Sequence, residues 1–290
     1  MVGAAKCGTT SMWAYLKQHP DIFMSARKEP HYFAPEVRRL PLTLDQYCLL
    51  FREVKEESCI GEASVYYLFI PETANRIKQF NAKARIIIML RNPVNMVHSL
   101  HAQLLFSSVE NLLTLREAIR AEHERKKGFS VPAGCVNGIQ LYYRSRADYA
   151  PQVKRYFDTF GRENVHVIIF DDFKNNTAAV YRDTLRFLGV EDSFTPDFSS
   201  RNPNTQPRSK TLMYFRHNYP EFVRTMGKLV VPSARVRYGL MQKITKLNTR
   251  TVERPPIPKD LRRQLQAEFR PSVERLSQLL ERDLMHWVEE

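Results

Sequence analysis

The chain has 290 residues, 43% hydrophobic and 26% charged, with only 10 glycines, which excludes a disordered, collagenous or low-complexity polymer. Its formal net charge of +13 favours a polyanionic partner, whether nucleic acid, a phosphorylated cofactor, an acidic glycan or an anionic membrane. Four cysteines without CxxC or Cys/His spacing argue against a disulfide scaffold and a zinc module, and no apolar run approaches the roughly 20 residues of a membrane span.

Gly3 to Thr10 reads as a glycine loop of the kind that follows a buried strand, yet only Met1 and Val2 precede it. The chain is therefore expected to begin inside its first strand, which makes the lack of a signal peptide or anchor uninformative. Ser11 to His19 has helical spacing and stops at Pro20. Ala84 to Leu90 is a continuous apolar run suited to a strand buried on both faces. It ends at Arg91-Asn92-Pro93, where Pro93 opens a helix. Asn111 to Lys127 and Leu141 to Phe160 read as amphipathic helices. Val165 to Phe170 reads as a second buried strand, followed by Asp171-Asp172 and a helix from Thr177 to Leu188, stopped by Gly189. These strand, turn and helix repeats imply an α/β fold: a single P-loop-type domain with a central parallel β-sheet flanked by helices. From Arg201 the composition becomes turn-rich and basic, and Lys259 to Val288 returns to helical periodicity as a C-terminal cover. One domain over 1–290 is expected, with a core of about 1–210 and a basic, mostly helical region over 211–290.

The strongest motif is Gly3-Ala4-Ala5-Lys6-Cys7-Gly8-Thr9-Thr10-Ser11, directly before a helix. Gly3 and Gly8 have Walker A spacing, but threonine follows Gly8 where nucleoside triphosphatases have lysine. Backbone N–H groups, the positive end of the helix, Lys6 and the hydroxyls of Thr9, Thr10 and Ser11 converge on one anion. The alternative is an ordinary glycine turn capped by Thr9 or Ser11. Cys7, at the positive helix end, reads either as a reactive thiol or as small-residue packing. For Arg91 the alternative is a solvated charge at a strand end.

The segment Ala5 to Ser11 resembles the 5′-phosphosulfate loop of sulfotransferases that use 3′-phosphoadenosine 5′-phosphosulfate (PAPS), although the family commonly has proline where this chain has Ala5. Arg91-Asn92-Pro93, with Ser99 eight positions after the arginine, resembles that family's 3′-phosphate motif. Lys28-Glu29-Pro30-His31-Tyr32-Phe33 is similar to a stretch of the bacterial and glycan-modifying members, in which the matching glutamate is the general base. The resemblance implies that role for Glu29, with His31 assisting, against the alternative of a surface ion pair with Lys28 or Arg27. Gly61-Glu62-Ala63-Ser64, followed by Tyr66 and Tyr67, resembles a segment near the family's acceptor cleft. The match at Tyr149 implies contact with adenine, with core packing as the alternative, and Arg208 and Lys210 fall where the family has a basic 3′-phosphate loop.

The implied activity is in-line transfer of the sulfuryl group of PAPS to an acceptor hydroxyl or amine. Adenosine 3′,5′-bisphosphate (PAP) departs while Lys6 stabilises the leaving oxygen, and no metal is required. The expected acceptor is a carbohydrate, with an anionic glycan suited to the basic surface. Lipid, polyketide or other small hydroxyls are the close alternative, and a nucleoside-phosphate kinase or a basic nucleic-acid-binding module the more distant ones. With the cofactor answering part of the charge, a nucleic-acid partner is unnecessary. The compartment stays open between cytoplasm, for a bacterial enzyme, and Golgi lumen, for a fragment of an anchored one.

Overall fold

The computed structural model of the protein describes residues 1–199, 205–207, 249–251 and 255–289. Contacts divide the chain into a first unit of Met1–Ser99, Tyr143–Asn202 and Pro258–Glu290 and a second of Leu100–Tyr142 and Pro203–Ile257.

In chain order the first unit holds α1 (Thr9–Leu16), β1 (Ile22–Met24), α2 (Leu44–Cys48), β2 (Cys59–Gly61), α3 (Thr73–Phe80) and β3 (Ile86–Leu90). The start of α4 (Pro93–Phe106) belongs to it, while α5 (Leu115–Lys126) lies in the second unit. The first unit resumes with α6 (Tyr143–Ala147), α7 (Tyr149–Phe160), β4 (Val165–Ile169), α8 (Phe170–Asn175) and α9 (Thr177–Leu188). Strands β5 (Thr205–Pro207) and β6 (Thr249–Thr251) pair antiparallel in the second unit, and α10 (Lys259–Leu280) belongs to the first.

All five residues of β3 are buried, as its unbroken Ile-Ile-Ile-Met-Leu run dictates. It pairs in parallel with β4, Ile86 opposite Val165 through Leu90 opposite Ile169. On its other side the chain start runs parallel to it: Val2 N donates to the Ile87 carbonyl at 3.0 Å, and Ala4 N to that of Met89 at 2.7 Å. Three parallel segments therefore end at one edge, which brings the Lys6 loop, Arg91 and Phe170 out together. This is where open α/β sheets bind their ligands.

Helix α7 buries Tyr149, Val153, Tyr156 and Phe160, one stripe at helical spacing. Helix α10 does the same with Leu261, Leu265, Phe269, Val273 and Leu276. In the second unit Thr114 and Glu117 form a reciprocal capping box that starts α5. There Arg125 grips Glu110 with two hydrogen bonds of 2.7 Å, both side chains fully buried.

Three expected elements differ in detail. The stretch read as one helix over Leu141 to Phe160 is two, α6 and α7, broken at Asp148. Pro151 explains the break, because proline fits the first turn of a new helix but not the interior of a continuous one. The strand expected to run to Phe170 ends at Ile169, and Phe170, Asp171 and Asp172 open the short α8, where carboxylates favour the positive helix end. The first helix starts at Thr9, two residues earlier than its apolar pattern suggests, with Gly8 at its cap.

Candidate active site

The loop between the chain start and α1 is shaped by two left-handed residues, Lys6 with φ 64° and Gly8 with φ 89°. Gly8 caps α1 without any side-chain hydrogen bond, and the first turn of the helix carries no acidic residue. With glycine at the cap and no acid in the first turn, the positive end of the helix stays suited to an anion. Thr9 is buried, Thr10 exposed and Ser11 half-buried. A Cβ on Gly8 would come within 3.1 Å of the Phe170 ring, so the left-handed φ favours glycine and the ring crowds any larger residue.

That same ring supports the second predicted cation. The Arg91 guanidinium lies 4.7 Å from the Phe170 centroid, and its Nη1 donates to the Lys6 carbonyl at 3.4 Å. One aromatic side chain therefore packs against both predicted phosphate motifs, whose Lys6 and Arg91 are 85 residues apart in sequence. Ser99 is buried in the second turn of α4. Cys7 and Tyr149 are both buried next to this pair. Burial pushes the Cys7 thiol up to about 12 despite the nearby charges of Arg91 and Lys6, so it is a packing residue. Burial likewise raises the Tyr149 phenol, which sits against Cys7.

Glu29 lies in a loop whose backbone is left-handed at two non-glycine positions, Glu29 with φ 61° and His31 with φ 53°. Its Oε1 accepts from Lys28 Nζ, and its Oε2 from Val65 N at 2.9 Å. His31 Nε2 lies 3.3 Å from that second oxygen. The ion pair with Lys28 foreseen as the plain alternative is thus present, inside a more elaborate arrangement. Burial holds His31 down at about 4 against the raising effect of Glu29, so the imidazole is neutral at pH 7. The neutral ring stands beside the carboxylate with Nε2 toward Oε2, within ion-pair range. Its Nδ1 has no hydrogen-bond partner among the described residues.

Arg146 was not anticipated. It is buried on α6, with its guanidinium 4.4 Å from the centroid of Tyr66. Its positive charge bears weakly on Cys7 and Tyr149 and on His31, after burial and nearer charges. Its sequence carries no local signal, since an arginine in an amphipathic stretch is ordinarily a solvated charge. Arg208 and Lys210 lie outside the described residues.

The sulfotransferase domain profile matches residues 1–225. The chain belongs to the sulfotransferase family. Among solved structures, it superposes on a sulfotransferase from Alicyclobacillus acidocaldarius with a TM-score of 0.74 and 34% identity, covering 100% of this chain and 97% of that one. It is 34% identical over 98 residues to the membrane-associated sulfotransferase kil1 of Dictyostelium discoideum, covering 32% of this chain. It is also 29% identical over 143 residues to carbohydrate sulfotransferase 15 of Homo sapiens, covering 34% of this chain. The matched stretches span 20% and 26% of those two proteins. The expected α/β architecture and enzyme class, a sulfotransferase, both stand.

Two further features brace this sulfotransferase site from outside its motifs. Asn92, next to Arg91, donates to the Trp287 carbonyl at 2.8 Å, while Trp287 Nε1 donates to Asp171 at 2.9 Å. The C-terminal segment, undiagnostic as sequence, thereby ties together the ends of β3 and β4. Arg282 adds a paired contact to Asp172, whose carboxyl it holds below the usual range. Among the described residues no group of three or more His, Cys, Asp or Glu side chains is arranged to hold a metal, and no helix is long and apolar enough to cross a membrane. The four cysteines are free thiols.

Proposed function

We propose that this sulfotransferase moves the sulfuryl group of PAPS to an acceptor hydroxyl, with Lys6 and Arg91 holding the donor and Glu29 taking the proton. The observation that carries this reading is the Arg91 to Lys6 hydrogen bond over a shared Phe170 ring. Two cationic motifs meet at the sheet edge beside a helix start free of acidic side chains, a fit for a ligand with two phosphate groups. Ser99 on α4 would join Arg91 at the 3′-phosphate, and the amides of Gly8, Thr9 and Thr10 would join Lys6 at the 5′ end.

PAPS supplies an activated sulfuryl group joined to a phosphate leaving group. The new bond forms between the acceptor oxygen and sulfur as the bond from sulfur to the 5′-phosphate oxygen breaks. Lys6 stabilises the charge gathering on that departing oxygen. Glu29 accepts the hydroxyl proton, exchanging its contact with Lys28 for one with the acceptor. His31, neutral and with its Nε2 3.3 Å from Oε2, flanks the base.

For the acceptor we favour a hydroxyl on a carbohydrate, with an anionic glycan suited to the net charge of +13. The similarity to a human carbohydrate sulfotransferase supports that class. Calorimetric titration with PAP in a chelator tests the donor half: roughly micromolar binding is expected, weakened at least tenfold by Arg91→Ala. Binding of ATP with magnesium in preference to PAP would overturn it in favour of a kinase. Screening glycans, lipids and small alcohols with labelled PAPS tests the acceptor.

A further inference from the structure

Behind Glu29 lies a second carboxylate with no part in the proposed transfer. Glu62 follows β2, and its two oxygens collect three hydroxyls: Tyr67 at 2.7 Å and Tyr47 at 3.3 Å on Oε1, and Ser64 at 2.8 Å on Oε2. Two of these hydroxyls do something more. Having given their hydrogens to Glu62, they present lone pairs to the backbone of the loop that carries the base. Ser64 Oγ accepts from His31 N at 3.1 Å, and Tyr67 Oη accepts from Phe33 N at 3.2 Å.

We propose that Glu62 is a positioning residue, whose carboxylate orients the Ser64 and Tyr67 hydroxyls so that they clamp the Glu29–Phe33 loop in its working shape. Rotation settles the geometry. A hydroxyl has one hydrogen, so its direction is fixed only if something takes that hydrogen. Without Glu62 the Ser64 hydroxyl turns toward other acceptors, and its lone pair is no longer reserved for His31 N.

The clamp has something to hold. Glu29 and His31 both sit in the left-handed region, where a residue with a Cβ stays only if its surroundings fix it. The clamp bonds alternate with two others from the same segment: Glu29 N to the Ala63 carbonyl at 2.9 Å, and Val65 N to Glu29 Oε2. Residues 62–67 thus form a template along which the loop is laid. Ser64 and Tyr67 are almost wholly buried, which limits replacement of their hydroxyls by water. Burial raises the Glu62 carboxyl, against the hydroxyls of Tyr67 and Ser64, as expected of a group held back from solvent.

This role rests on Glu29 being the base, but part of its test does not. The perturbations are Glu62→Gln, which leaves one acceptor oxygen, Glu62→Ala, which leaves none, and Ser64→Ala, which removes one arm alone. The first readout, independent of activity, is the NMR titration of the His31 ring. Each variant is expected to move its midpoint up from about 4 toward the ordinary 6.5 as the loop loosens and the ring gains water. The second is kinetic, with labelled PAPS: kcat falls about 10- to 100-fold, more for Ala than for Gln, while PAP affinity stays at the wild-type value. Glu62→Ala and Ser64→Ala are expected to be non-additive, since they cut the same connection. An unchanged His31 midpoint in Glu62→Gln and Ser64→Ala overturns the clamp, as does a loss of PAP affinity matching the loss of kcat. Should Glu62→Ala fail to fold, Ser64→Ala and Tyr67→Phe decide by the same readouts. A wild type that transfers no label would refute the proposed activity, whereas the His31 titration would still judge the clamp.

Discussion

The neutral state of His31 makes the stability of the protein depend on pH in a defined window. The ring is packed edge-on against Tyr66 and Tyr67 at 5.2 and 6.3 Å, and only 13% of its side chain is exposed. Of the charged groups around it, Glu29 favours the imidazolium, while Arg38, Lys28 and Arg146 oppose it. Burial dominates and takes the midpoint from 6.5 down to about 4. Above pH 6.5 the ring is neutral in folded and unfolded chains alike, and below about 4 it is protonated in both. Between these limits only the unfolded chain binds the proton, so stability falls as pH falls through the window. The full difference amounts to about 3 kcal/mol at 1.4 kcal/mol per pKa unit. Urea unfolding of wild type and His31→Gln at half-unit steps from pH 7 to 4 measures it. Wild type should lose that amount more than the variant between the two ends. Equal slopes for the two proteins, or a His31 NMR midpoint at or above 6.5, would refute the reasoning.

Gly8→Ala should cost about 2–4 kcal/mol, from the left-handed backbone and the crowding of Phe170, and should weaken PAP binding because Phe170 also supports Arg91. Urea unfolding and calorimetry check the two parts. Glu110→Ala should lower stability by about 3–5 kcal/mol by leaving the Arg125 charge buried without its carboxylate, measured by chemical denaturation. Cys7, buried and with its thiol pushed up to about 12, should resist maleimide at pH 8 in the native protein, whereas exposed Cys48 should react; mass spectrometry of the labelled peptides reads this directly.

The elements built from local chemistry were legible in the sequence. An unbroken apolar run can only be a doubly buried strand or buried helix, and its length and the following Arg91-Asn92-Pro93 fixed β3 as a strand. Gly189 stopped α9 at the expected residue because a left-handed φ of 69° ends the helix there. Lys6 and Arg91 could be singled out as candidate phosphate ligands because loop and strand end each carry a local signature, and the structure brings them together. What escaped depends on long-range packing. Nothing local to Phe170 says that it lies under both Gly8 and Arg91, and nothing local to Arg146 says that its guanidinium packs over Tyr66. The split into α6 and α7 lay in Pro151, whose spacing was overridden by an amphipathic pattern continuing across it. Glu62 stood in a segment already singled out, but its function is a matter of hydroxyl orientation, which no spacing rule encodes.

In the proposed reaction Lys6 and Arg91 hold the donor and Glu29 accepts the acceptor's proton. Initial rates of label transfer from PAPS, in a chelator and with the best acceptor from the screen, test it most directly. Wild type is expected to transfer label, both Lys6→Ala and Glu29→Gln to lose at least about 100-fold, and Glu29→Gln alone to retain PAP affinity. Wild-type turnover in both variants would contradict it.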